Sequence, residues 1–403
     1  MSNPAISELF KEDMPIDDYL SRTQKERNDK GEKYLIKQLT SSRCALCLGA
    51  GVTKGIGMPL WPELITNLFY GLLVHFSFGN DAQMEHLVHS DIDQRMRDIE
   101  LFKSVSSLEA AEYIQLSLEQ YAKYRAHKNN FRYEQKTAER FLARDILSTL
   151  EFLKNNCKSP DWSVVDELAK LITAEKGIRH VINYNYDDAL ECACERIGAD
   201  MNRIVSCGLS ECTARTSSGQ LPSYIYHIHG RLPLFSKVLE EHVQKDINAG
   251  VILSERSYNQ TESMIYNSTN TCQAQIFQTH SCLFIGFSAQ DYNYKRIVKG
   301  MPLTIEDKEK LVKDLDSGKE PVIAPHFILF SINSFIKELK AHDSKKHEKV
   351  ILTSEEESYK YFLQRMIETH FNYYTRFNVW PIYIRDHHAV QPFIRKLNDS
   401  ISS

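Results

Sequence analysis

The spacing of apolar residues changes several times along the chain. In residues 1–40, Ile6, Leu9 and Phe10, then Tyr34, Leu35 and Leu39, recur at helical intervals, so this segment reads as an N-terminal helical arm. Cys44–Leu48 (CALCL) is a short unbroken apolar run of the kind buried on both faces of a sheet. From 67 to 176 the stretches LEAAEYIQLSLEQYAKY and AERFLARDILSTLEFLKNN carry apolar residues at three- and four-residue steps with no strand runs, which predicts a large helical insertion. Strand-like runs return at 179–184, 204–207, 224–228, 282–285, 326–330 and 379–384, with helical stretches among them and a closing helix over 388–401. The alternation predicts an α/β fold: a Rossmann-like, mostly parallel sheet with helices on both faces, built from residues 41–66 and 177–403. The charged stretch 340–357 reads as an exposed helix-loop junction.

The first strand runs into Gly49-Ala50-Gly51-Val52, followed by Gly55, Gly57, Pro59 and Trp61. Glycines after a buried strand let the backbone turn so that its N–H groups can approach a pyrophosphate, with the helix expected near Pro62 adding its N-terminus. A dehydrogenase fingerprint needs its third glycine one place earlier and an acidic residue after a second strand, and neither is here. A tight structural turn is the competing reading.

Three further strands end in polar or glycine-containing motifs. The run HVINYNYDDALE ends in Asn185, Tyr186 and Asp187; SYIYHIHGRLP in His227, His229 and Gly230; CLFIGFSAQDYN in Gly286, Phe287 and Ser288. In an open parallel sheet, ligands sit beyond the carboxyl ends of the strands, where all four motifs would converge. Each also has an ordinary reading: Asn185 or Asp187 could cap the next helix, and a strand-end histidine can be purely structural. His227 and His229 alternate with Ile228 and should face one side of the sheet; His229, directly before a glycine turn, is the stronger catalytic candidate.

Composition narrows the classes. The chain has 403 residues, 42% hydrophobic and 25% charged, as in an ordinary folded protein. A net charge of -4 leaves no electrostatic footprint for nucleic acid. Nine cysteines without an apolar leader, and no run able to span a bilayer, predict a cytoplasmic protein with buried free thiols. Cys44 and Cys47 have metal-knuckle spacing but lie in the buried strand, so no metal is expected.

Together these motifs resemble the sirtuin superfamily, specifically its prokaryotic sirtuin-like branch. The family's glycine loop and G-x-P-x-W are matched by Gly49–Val52 and by Gly57, Pro59 and Trp61. Its N-Y-D is matched by Asn185, Tyr186 and Asp187, its H-G by His229 and Gly230, and its final G-x-S by Gly286 and Ser288. LEAAEYI at 108–114 and VILSERSYN at 251–259 add to the likeness. Deacylating members carry paired zinc cysteines soon after the H-G, and this chain has none there. The resemblance therefore implies NAD as substrate and hydrolysis of its nicotinamide–ribose bond, with Asn185 orienting ribose and water and His229 as general base. Asp187 would accept hydrogen bonds at the nicotinamide-side ribose, and Gly286, Phe287 and Ser288 would meet the adenosine side. It further implies an NAD-depleting effector of bacterial antiviral defence, gated by homo-oligomerisation or by a HerA-type hexameric ATPase, the other partner class being short Argonaute proteins. The alternatives are an NAD-dependent deacylase or ADP-ribosyltransferase, and a non-catalytic nucleotide-sensing subunit.

Overall fold

A computed structural model describes residues 16–78, 106–129, 131–209, 221–254, 256–257, 268–287, 304–336 and 355–402. Seven strands form an all-parallel sheet: β1 (Cys44–Leu48), β2 (His180–Asn183), β3 (Ile204–Cys207), β4 (Ser223–His227), β5 (Ser281–Ile285), β6 (His326–Ser331) and β7 (Val379–Ile384). Their order is β3-β4-β2-β1-β5-β6-β7. The expected α/β, Rossmann-like architecture is what the chain adopts, and every predicted strand is present within a residue or two at its ends. The chain divides into two compact units, one of Met1–Cys47, Lys170–Arg179 and Ile276–Ser403, the other of Leu48–Ala169 and His180–Gln275.

In the first unit, β6 and β7 are fully buried, as their apolar runs require, and pair in register from His326 opposite Val379 to Ser331 opposite Ile384. Of the arm expected over 1–40, residues 1–15, with Ile6, Leu9 and Phe10, lie outside the described residues; helix α1 (Arg22–Thr40) makes up most of the rest. It starts at Ser21, whose hydroxyl accepts from the Gln24 N–H while the Gln24 side chain accepts from the Ser21 N–H, a reciprocal capping box. Tyr34, Leu35 and Leu39 bury its inner face, and Gly31 leaves room for the Trp380 ring of β7. The predicted junction at 340–357 lies mostly outside the described residues; from Glu355 the chain is helical.

The second unit holds the helical segments predicted between 67 and 176. They are α2 (Trp61–Phe78), α3 (Ser107–Lys128), α4 (Gln135–Asn156) and, crossing its edge, α5 (Ser163–Thr173). Ala138, Leu142, Ala143, Ile146 and Leu150 form the buried stripe of α4, and Ala110, Ala111, Ile114, Leu118 and Ala122 that of α3. Each isoleucine or leucine so buried contributes about 1.5–3 kcal/mol, enough to hold helices whose outer faces are charged. β4 lies between β2 and β3, pairing Asn183 with His227 and Ser206 with Ile225. This register brings the carboxyl ends of β2 and β4 side by side. α6 (Ala189–Arg196) follows β2, and α7 (Val243–Ala249) follows β4.

Candidate active site

The second unit gathers most of the predicted residues around the end of β1. After Leu48, Gly49 is extended, Ala50–Val52 form one 3-10 turn and Lys54–Ile56 a second, closed by Gly57 at φ +89°. That positive φ, and a Cβ that would come within 2.6 Å of the Cys157 Cβ, explain the glycine at 57. Pro59 and Trp61 then lead into α2 and are partly exposed. The Leu60 N–H is taken by the Glu63 carboxylate at 2.8 Å, so the first turn of α2 carries its own anion. Of the two parts expected to meet a pyrophosphate, the start of α2 thus already has its Leu60 N–H engaged by Glu63, and the turn at Gly49–Val52 directly follows β1.

The end of β2 clasps this loop. Asn185, buried, donates from Nδ2 to the Gly49 carbonyl at 3.2 Å, and its own N–H reaches Asn183 Oδ1 at 3.1 Å. Asp187 accepts from the Thr53 hydroxyl at 3.4 Å through one oxygen and from the Ala189 N–H at 3.2 Å through the other. Asp187 thus bonds the turn into α6, as its capping reading expected, and it also grips the loop. Burial pushes its carboxyl up to about 6, against the pull of the Ala189 N–H, the His227 charge and the Thr53 hydroxyl.

The end of β4 supplies the histidines. The strand stops at His227 and the chain turns at Gly230, with φ +99° and the Gly230 N–H bonded back to the His227 carbonyl. The expected alternation that would place both rings on one sheet face stops there, and the two reach different partners. His229 is 5% exposed; its Nδ1 lies 2.9 Å from the Tyr184 carbonyl, an acceptor, so Nδ1 carries the proton and Nε2 is the ring's basic nitrogen. Tyr184 and Tyr186 flank this ring at centroid distances of 5.3 and 6.3 Å. The Ile252 N–H bonds the His229 carbonyl, and the Tyr186 hydroxyl donates to the Ile252 carbonyl at 2.7 Å. His227, by contrast, meets Glu191 at 2.7 Å through Nε2.

Gly286 and Phe287 end β5 in the other unit, Gly286 at φ +76° and Phe287 buried against Phe284; Ser288 lies outside the described residues. The residues that sequence reasoning passed over are polar and buried. Thr53 is one. Asp188, fully buried, is another: it takes the N–H groups of Leu234, Phe235 and Ser236 at 2.8, 2.8 and 2.9 Å and so shapes the chain after Arg231. The nearest signal for each was adjacency, Thr53 to Val52 and Asp188 to Asp187.

Among the described residues no group of His, Cys, Asp and Glu could hold a metal ion, and no helix is long and apolar enough to cross a membrane. Cys44 and Cys47 are buried free thiols, and burial pushes the Cys44 thiol well above its usual range. Cys207 departs from the expected free thiols, being disulfide-bonded.

Residues 179–310 match a family described as a SIR2-like domain, a likeness that supports the sirtuin-like resemblance over that span and is compatible with NAD-related activity. The matched span contains Asn185, Tyr186, Asp187, His229, Gly230, Gly286, Phe287 and Ser288. No curated protein matches the chain.

Proposed function

We propose that this protein is an NAD hydrolase that cleaves the nicotinamide–ribose bond to give nicotinamide and ADP-ribose. The observation that carries the reading is that, inside one compact unit, Asn185 and Asp187 bond the loop that ends β1 while His229 is bonded to the carbonyl of Tyr184, the residue before Asn185. Bond cleavage leaves an oxocarbenium-like ribose, so the site must orient the sugar and the water that attacks it and accept a proton. Asn185 is fixed by its contact with Gly49 and offers its amide for orientation. Asp187 accepts hydrogen bonds from the nicotinamide-side ribose, and Nε2 of His229 takes the proton. The Gly49–Val52 turn, with Gly57, Pro59 and Trp61 bracing the loop, holds the pyrophosphate through its N–H groups before Val52, whose own N–H is donated to the Gly49 carbonyl. Gly286, Phe287 and Ser288 are assigned to the adenosine side on the resemblance alone.

In this reading the enzyme depletes NAD during antiviral defence. Constant depletion would kill its host, so a gate is needed, either homo-oligomerisation or a HerA-type ATPase, with a short Argonaute as the other candidate. Cytoplasmic location follows from where NAD is drawn down. The test is to incubate purified protein, alone and with neighbouring gene products that co-purify with it, with NAD and to measure nicotinamide. Release should fall by about 100-fold or more in Asn185→Ala and in His229→Ala. Release that survives both substitutions sinks the assignment, and release that depends on an added acyl-lysine peptide points to a deacylase instead.

A further inference from the structure

His227 sits between two acceptors. Its Nε2 is 2.7 Å from Glu191 Oε1 and its Nδ1 3.4 Å from the Asn185 carbonyl oxygen. A neutral imidazole has one N–H and could satisfy only one of them; satisfying both requires the doubly protonated ring. The two side chains are 0% and 1% exposed, so the resulting ion pair is fully removed from water. Burial by itself would pull His227 down, yet the charge and hydrogen bond of Glu191 hold it above the usual imidazole value, and Glu191 is held below the usual carboxylate value in return.

The pair is the inner end of a longer chain of contacts. Ser206 of β3 donates to Glu191 Oε1 at 2.5 Å and accepts from Arg231 Nη1 at 3.0 Å. Arg231, itself buried, is gripped by both oxygens of Asp246 on α7 at 2.8 and 3.3 Å. Glu191 Oε2 has no partner among the described residues, and a cavity of about 20 Å³ lined by Glu191, Ser206 and His242 has room for one water beside it. The network therefore ties β3, α6, α7 and the chain after β4 together, and through the His227 ring alone it reaches the main-chain carbonyl of Asn185. That residue's N–H and side-chain amide are already fixed by Asn183 and Gly49, so His227 secures its remaining polar group.

We infer that the buried His227–Glu191 ion pair is a positioning device for Asn185, holding its carbonyl by a second imidazolium N–H so that its amide faces the reacting ribose. The inference rests on the proposed role of Asn185 in NAD cleavage. When His227 loses a proton, Nε2–H stays with Glu191, and the bare Nδ1 lone pair then faces the Asn185 oxygen and repels it. The charged groups acting on the ring are Glu191 on α6, Asp187 after β2, Arg231 after β4 and Asp246 on α7, with Asp188 facing Glu191 and His242 facing Asp246. Only Glu191 contacts the ring directly among them, so Glu191→Gln, which keeps shape and removes charge, is the informative substitution.

Two measurements decide the matter. In the full-length wild-type protein, selective labelling should show His227 keeping both ring nitrogens protonated above the pH at which an ordinary imidazole loses its proton, with the Asn185 carbonyl carbon shifting in the same titration as the ring. In nicotinamide-release assays, Glu191→Gln should lower kcat by about tenfold with KM for NAD nearly unchanged, and should bring the alkaline loss of activity to lower pH. A neutral ring in the wild type, or an Asn185 carbonyl that ignores its titration, overturns the inference. So does a Glu191→Gln enzyme with unchanged kcat and pH profile. A wild type without NAD turnover would overturn the NAD reading alone, because the spectroscopic result still judges the link between ring and carbonyl.

Discussion

Asp187→Asn should stabilise the protein at neutral pH while lowering its activity. In the folded chain the Asp187 carboxyl is pushed from 3.8 up to about 6, chiefly by burial. Between these values the native state holds a proton that the unfolded state has released, so the contribution of this group is fully present below 3.8 and is lost as pH rises through about 6. A shift of about 2 units corresponds to about 3 kcal/mol of stability forfeited above pH 6. Asparagine avoids that loss and keeps the local bonding: Oδ1 still accepts from Ala189, and Nδ2 can donate to the Thr53 hydroxyl in place of the present contact. Loss of a negative charge at the start of α6 takes back about 0.3–1 kcal/mol, leaving a net gain of about 2 kcal/mol. Denaturant titrations of both proteins at about pH 4.5 and about pH 8 should show the variant's advantage grow across that interval at equal slope m. The reasoning is refuted if the difference is the same at both pH values, or if the wild type is the more stable at the higher one. Nicotinamide release should fall in the same variant, the trade expected where a strained buried charge serves function.

Outcomes at three further positions follow from local geometry. Gly230→Ala should cost about 1–3 kcal/mol, because a Cβ at φ +99° would lie 2.9 Å from the Gly250 carbonyl, and displacing 250–252 should loosen His229 and Tyr186, seen as reduced melting temperature and activity. Asp188→Ala strands three N–H donors, one of them on buried Ser236, and should lower stability by about 3–5 kcal/mol in denaturant titration. Asp188→Asn should lose less, since one oxygen keeps the Leu234 and Phe235 bonds. In the other unit, Gly31→Ala drives a Cβ into the Trp380 ring and should cost about 1–3 kcal/mol, readable as a lower melting temperature.

What could be read from the sequence and what could not divides along a physical line. The strands were legible because runs such as CALCL and VWPIYI have no alternative to burial on both faces, and the loop because Gly49, Gly51 and Gly57 mark a backbone that must turn. Asn185, Asp187 and His229 were legible as polar residues placed where parallel strands end. Glu191, Arg231 and Asp246 were not, since periodicity assigns a charged residue on an amphipathic helix or a loop to solvent, and only the register of β3 and β4 closes a network around them. Glu191 lies one helical turn beyond Asp187, and Arg231 directly follows Gly230, yet neither spacing says which partner it meets. Burying such groups carries a desolvation penalty that hydrophobic side chains of similar volume would avoid. Stability therefore does not account for them: the ion pair closed to water contacts the Asn185 carbonyl, the carboxylate raised to about 6 follows two residues later, and the histidine with its basic nitrogen set by a backbone carbonyl is held by Tyr184, the residue before Asn185. The disagreement between pattern and burial is concentrated where the chemistry is proposed, so these buried charges, more than the glycine loop, are what later substitutions should probe first.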